Sequence, residues 1–115
     1  MTRERELSLE ETATMLKLLG DKTRLSMISL LFEQDCCVCE FVGIFNMSQP
    51  AISQHLRKMK DAGIVKEQRR GQWVVYSINQ TSEYFSLVKE LIKHVPSQQE
   101  KFTWLEKQGL RISCD

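Results

Sequence analysis

Apolar residues first recur at helical spacing. Leu9, Ala13 and Leu16, with Leu19 or Gly20 after them, predict a helix over about Ser8 to Leu19. Ser8 followed by Glu11 reads as a capping box, and Gly20-Asp21 ends the run. A second helix over about Lys22 to Glu33 is expected to bury Leu25, Ile28, Leu31 and Phe32. Gln34-Asp35-Cys36-Cys37 reads as a connection, and Val38 to Phe45 as a short third helix with Phe41, Ile44 and Phe45 apolar.

The turn Asn46-Met47-Ser48 follows. Ser48 suits an N-cap, and Pro50 suits the first turn, where its missing amide hydrogen has no partner to lose. The fourth helix runs to about Asp61, with Ile52, Leu56 and Met59 inward and Gly63 just past its end. The pattern then changes. Ile64 to Gln68 and Trp73 to Ile78 read as two strands joined by the glycine-containing tip Arg69-Arg70-Gly71-Gln72. A fifth helix capped by Thr81 or Ser82 carries Phe85, Val88, Leu91, Ile92 and Val95, and Pro96 stops it. Ser97 to Gln108 carries Phe102, Trp104 and Leu105.

This order predicts a mainly α fold with a β-hairpin wing, a winged helix-turn-helix in which two short helices meet at a three-residue turn. No internal repeat or second domain interrupts it, so residues 1–115 read as one domain with dimerisation helices at both ends. The candidate dimer faces are Leu9, Ala13 and Leu16 at one end, and Phe85, Val88, Leu91, Ile92, Val95, Trp104 and Leu105 at the other.

Composition narrows the function. Hydrophobic residues at 42% and charged residues at 27% are ordinary for a globular domain. The N-terminal Met1-Thr2-Arg3-Glu4-Arg5-Glu6 lacks a signal peptide's apolar run, and no stretch approaches a membrane span. The expectation is a cytoplasmic protein that does not engage a membrane. The net charge of +1 hides a local excess: residues 57–70 hold six bases against two acids. Such a strip suits the phosphates of double-stranded DNA. Small or polar side chains at the start of the fourth helix (Ser48, Gln49, Ala51, Ser53) let its backbone approach base edges. Gln49 and Gln54 can pair with adenine, and Ser48, Ser53 and His55 suit phosphates or base edges. Arg57, Lys58 and Lys60 face phosphates, and Arg69 and Arg70 reach backbone or minor groove.

Four cysteines in a reducing compartment read as metal-binding or redox-reactive, and three of them, Cys36, Cys37 and Cys39, lie within four positions. Helix geometry constrains them. Residues two apart on a helix point about 200° apart, so Cys37 and Cys39 cannot grip one ion while both are helical. Cys36 and Cys39, three apart, share a face. A site using all three requires an open first turn, and filling it would bias the helix that braces Ser48–Asp61. Thiolates select soft ions, and amides at a helix start favour the ionised thiol. A three-sulfur pyramid suits As(III) or Sb(III); a fourth donor would suit Cd(II), Pb(II) or Zn(II). Disulfide or persulfide sensing is the alternative signal. An enzymatic reading, a thiol-disulfide oxidoreductase built on Cys36 and Cys39, lacks the βαβ context such a motif uses.

Ser48-Gln49-Pro50-Ala51-Ile52-Ser53-Gln54-His55-Leu56, then Ala62-Gly63-Ile64-Val65, Arg70-Gly71 and Val75-Tyr76-Ser77-Ile78, resembles the ArsR/SmtB family of metal-responsive repressors over about residues 9–95. The resemblance implies a homodimer on an imperfect palindromic operator. Cys37-Val38-Cys39-Glu40 resembles the thiolate motif of its arsenic- and antimony-responsive members. A third cysteine often found three residues further on is Val42 here, which leaves Cys36 or Cys114 as third donor. The family's second sensing place, on the late helix, would fall at Asn79-Gln80-Thr81-Ser82. Its ligands are absent there and only His94 lies nearby, so no such site is expected.

Overall fold

The structure, a computed structural model, describes residues 6–109. Its elements are α1 (Leu9–Leu19), α2 (Lys22–Glu33), β1 (Cys36–Cys37), α3 (Val38–Phe45), α4 (Gln49–Asp61), β2 (Val65–Arg70), β3 (Trp73–Ile78), α5 (Phe85–Ile92) and α6 (Gln99–Lys107). Local chemistry sets most boundaries. Ser8 Oγ accepts from the Glu11 amide and the Glu11 carboxylate from the Ser8 amide, both at 3.0 Å, closing the capping box on α1. Asp21 caps α2 by accepting from the Arg24 amide, and Ser48 caps α4 by accepting from that of Ala51. Asn46 takes a left-handed conformation (φ 52°) after α3, and Gly63 does so after α4 (φ 80°).

The core forms where α2, α4 and the sheet converge. Met27, Ile28, Leu30 and Leu31 of α2 pack with Phe41 of α3 and with Ile52, Leu56 and Met59 of α4. Met15 and Leu19 of α1 and Phe102 and Leu105 of α6 join from the ends. Leu25 and Phe32 lie only partly buried, with Met27 and Leu30 taking the interior places. Leu9, Leu16 and Trp104 stay largely exposed, whereas Val88 and Leu105, grouped with them in the sequence as a dimer face, belong to the core.

The sheet has three antiparallel strands in the order β1-β3-β2. The segment expected as a plain connection supplies the third strand, with Cys36 opposite Tyr76 and Cys37 opposite Val75. The wing is longer than expected. Arg69 and Arg70 are in β2, and only Gly71 and Gln72 form the loop, with Gly71 at the positive φ (62°) a two-residue hairpin needs at its first position. Helix α5 starts at Phe85, after a turn in which Ser82 Oγ accepts from the Tyr84 amide.

Candidate DNA interface and thiol site

Burial of Ile52, Leu56 and Met59 turns one face of α4 into the core and leaves the opposite face outward. Gln49, Gln54, Arg57 and Lys58 are exposed there, while Ala51 and Ser53 are half-buried. Ser48 is exposed, but its hydroxyl is engaged as the cap. Where the wing leaves α4, Lys60 pairs with Glu67, which also accepts from the Tyr76 hydroxyl at 2.7 Å across the strand register. These two partners hold the Glu67 carboxyl below the usual range, and burial together with Glu67 pushes Tyr76 up to about 12. Arg69 is exposed. Arg70 is exposed too and lies 3.4 Å from Asp35, so it can exchange that partner for a phosphate.

His55 is held differently. Its Nδ1 is 3.2 Å from the Arg24 guanidinium, which also donates to the Leu18 carbonyl at 2.7 Å and lies 3.8 Å from Asp21. A guanidinium only donates, so Nδ1 accepts and the ring hydrogen resides on Nε2. Burial lowers the His55 pKa, with Arg24 and Lys58 acting in the same direction and Asp21 opposing them. His55 therefore packs at the helix-turn-helix rim through Nδ1, with Nε2 carrying its hydrogen. This link between α1, α2 and α4 was missed in the sequence. Nothing local in the sequence pairs residues 24 and 55.

The cysteines divide. Cys37 is the N-cap of α3, in extended conformation (φ −93°, ψ 166°), and its amide donates to Glu40 Oε1 at 3.0 Å. Being outside the helix, it escapes the constraint on residues two apart, and its Sγ lies 3.1 Å from that of Cys39. Cys39 is exposed and Cys37 is buried. Cys36 does not share this place. Adjacent strand residues point to opposite faces, so pairing of β1 with β3 sends Cys36 into the core, its Sγ 3.5 Å from the Gln34 carbonyl. The expectation that Cys36 and Cys39 share a helix face is corrected by this strand. Cys114 lies outside the described residues. Among the described residues, no group of three or more His, Cys, Asp or Glu is placed to hold a metal ion.

Amides at the α3 start do not decide the state of Cys37. Burial outweighs them and, with Cys39 and Glu40 adding to it, pushes the Cys37 thiol well up, so it stays protonated at neutral pH. A divalent cation must displace that proton, whereas a neutral arsenic hydroxide removes it as water. The pair opens into a cleft of about 350 Å³ lined by Val38, Val42, Gln49, Gln72, Trp73 and Val74. One space thus borders the thiols, the first residue of α4 and the wing.

This arrangement is that of a winged-helix DNA-binding regulator. Residues 21–67 match the family described as bacterial regulatory protein, arsR family. The chain is 37% identical over 98 residues to the arsenic resistance transcriptional regulator ArsR1 of Pseudomonas putida, covering 84% of this chain and 73% of that protein. It is 36% identical over 66 residues to the arsenical resistance operon repressor of Escherichia coli, covering 56% of each. Among solved structures, reduced HlyU from Vibrio cholerae aligns with a TM-score of 0.65 at 26% identity, over 75% of this chain and 90% of that one. The transcriptional repressor BigR from Xylella fastidiosa aligns with a TM-score of 0.62 at 28% identity, over 77% and 90%. The chain belongs to the arsR family and is a transcriptional repressor of that class. No helix among its described residues is long and apolar enough to cross a membrane.

Proposed function

We propose that the chain is a cytoplasmic homodimer that holds operator DNA without ligand and releases it when Cys37 and Cys39 capture As(III) or Sb(III). The observation that carries this reading is the thiol pair, 3.1 Å between sulfurs, in a cleft it shares with Gln49 and the wing. Closing a bond network there changes the mouth of α3 and, through it, the posture of α4. Soft trivalent ions match the donors. Cd(II) and Pb(II) are weaker candidates because they more often take four ligands, and two sulfurs are at hand. Reading of DNA falls to Gln49, Ala51, Ser53 and Gln54 at the bases, with Ser48, His55, Arg57, Lys58, Arg69 and Arg70 at the backbone.

The whole chain acts as one domain, dimerised through its terminal helices. Leu9 is 80% exposed, Leu16 48% and Trp104 47%, apolar side chains on α1 and α6 that a second copy would cover. Two α4 helices about 34 Å apart would match one turn of DNA.

The test starts by enriching a duplex from a random pool with the full chain. Its affinity is then measured with and without arsenite. A coupling of about 1–3 kcal/mol, roughly 5- to 150-fold, is expected. Unchanged DNA affinity with arsenite demonstrably bound rejects it. A second signal is supported by the same short sulfur separation: oxidation or persulfidation linking Cys37 and Cys39. Mass spectrometry after persulfide treatment, run beside DNA release, tells the two apart.

A further inference from the structure

A neutral histidine can donate from either ring nitrogen, and the partner at one nitrogen settles which. For His55 that partner is Arg24. Its Nη1 lies 3.2 Å from His55 Nδ1, and its side chain, 13% exposed, is itself held from two further sides. Nε donates to the Leu18 carbonyl at 2.7 Å, and Asp21 lies 3.8 Å from the guanidinium. We propose that Arg24 is a positioning residue for DNA binding: it keeps the His55 hydrogen on Nε2 and presents that N–H outward, as an uncharged donor to a backbone phosphate. This rests on the reading of His55 as a backbone contact and names what prepares it.

Two observations support it. Nε2 meets no acceptor among the described residues, none of which leaves a buried polar side-chain atom unpaired, so this nitrogen reaches solvent. His55 also stands four positions after Ala51 and three before Lys58, which sets its outer edge beside residues assigned to bases and phosphates. Protonation would undo the arrangement. A second hydrogen must go on Nδ1, where it would face the Arg24 guanidinium, donor against donor. Lys58 on α4 opposes that charge as well and Asp21 before α2 favours it, while burial tips the ring toward neutrality. A free imidazole beside a phosphate would instead take up a proton, and its grip would tighten in acid. Holding Nδ1 makes the contact independent of pH where an ordinary histidine titrates.

Affinity for the duplex enriched from a random pool is measured between about pH 8 and pH 6 for the full chain, Arg24→Met, His55→Ala and the double variant. His55→Ala should bind about tenfold more weakly, the scale of a hydrogen bond to a charged group. Arg24→Met, which keeps the side chain's bulk without its donors, should lose about fivefold at about pH 8, and nothing more once His55 is already Ala. Its affinity should climb back toward the parent's as the pH falls and the freed ring becomes charged. The parent's, relative to that of His55→Ala, should change by less than about twofold. If Arg24→Met does not fold, long-range proton–nitrogen NMR of the natural chain gives the same answer: Nε2 protonated and Nδ1 bare at about pH 7, free and on DNA. A hydrogen on Nδ1 in the complex, or Arg24→Met binding with the parent's strength and pH profile, overturns the proposal. So does an equal loss from Arg24→Met when His55 is already Ala. If His55→Ala binds DNA as the parent does, His55 is no backbone contact and the proposal falls with that reading.

Discussion

Helices α3 and α4 are neighbours in the chain, yet they are held in opposite ways. Helix α4 begins on a hydroxyl cap, carries proline in its first turn, and sets three fully buried side chains against the core. Helix α3 has eight residues and begins on a thiol. What secures its start is a capping box, Cys37 Sγ facing the Glu40 amide and the Glu40 carboxylate accepting from the Cys37 amide, with two residues of strand pairing. The contrast suggests a division of labour. The reading element opens on an oxygen cap, and the element that braces it opens on a soft donor where a ligand can act.

The harshest probe of the reading side is Leu56→Ala. Leu56 is fully buried, so the change should cost about 2–5 kcal/mol in urea denaturation. A loss under about 1 kcal/mol would mean that α4 is not the anchored partner. On the bracing side, Cys37→Ser or Cys39→Ser should abolish the ligand-dependent change in DNA affinity, a coupling of about 1–3 kcal/mol. Unliganded binding should stay near that of the parent. Retained induction in both variants would move the signal elsewhere. Ser48→Ala should then cost about 1 kcal/mol of stability, the usual value for a lost N-cap. An equal cost for Cys37→Ala would erase the contrast between the two helix starts.

Two smaller effects sharpen the picture. Arg57→Ala should flatten the salt dependence of DNA binding, its logarithmic slope changing by about 0.9 if the side chain neutralises one phosphate. No change in slope would remove Arg57 from the backbone contacts. The smallest effect concerns His55, whose pKa is lowered from 6.5, chiefly by burial. The unfolded chain therefore binds the proton more readily. The stability this group contributes is complete above about pH 6.5 and is lost as pH falls through the lower, folded value. Melting temperature should decline from about pH 7.5 to about pH 5, and more shallowly in His55→Gln. Identical slopes would show that burial does not depress the His55 pKa as described.

Much of the fold could be read from the chain because its causes are local. The capping box at Ser8, the Ser48 cap, the left-handed Gly63 and the hairpin around Gly71 involve residues at most a few positions apart. Periodicity placed Ile52, Leu56 and Met59 inward for the same reason, and the outward polar face of α4 followed. The basic strip at residues 57–70 was equally visible, although its pairings, Lys60 with Glu67 and Arg70 with Asp35, were not.

The thiol site lay at the edge of what such reasoning reaches. Clustered soft donors announced their chemistry through type and spacing alone. Their partition did not. A two-residue strand has no periodicity to detect, and Cys36 and Cys37 became strand only because β3, nearly forty positions on, offers its edge. That register turned one sulfur into the core and put its neighbour beside Cys39. The Arg24–His55 contact, spanning 31 positions, arose in the same way. Short-range sterics and hydrogen bonding dictated the elements from the residues themselves, whereas the direction of each reactive side chain was decided by long-range pairing and packing.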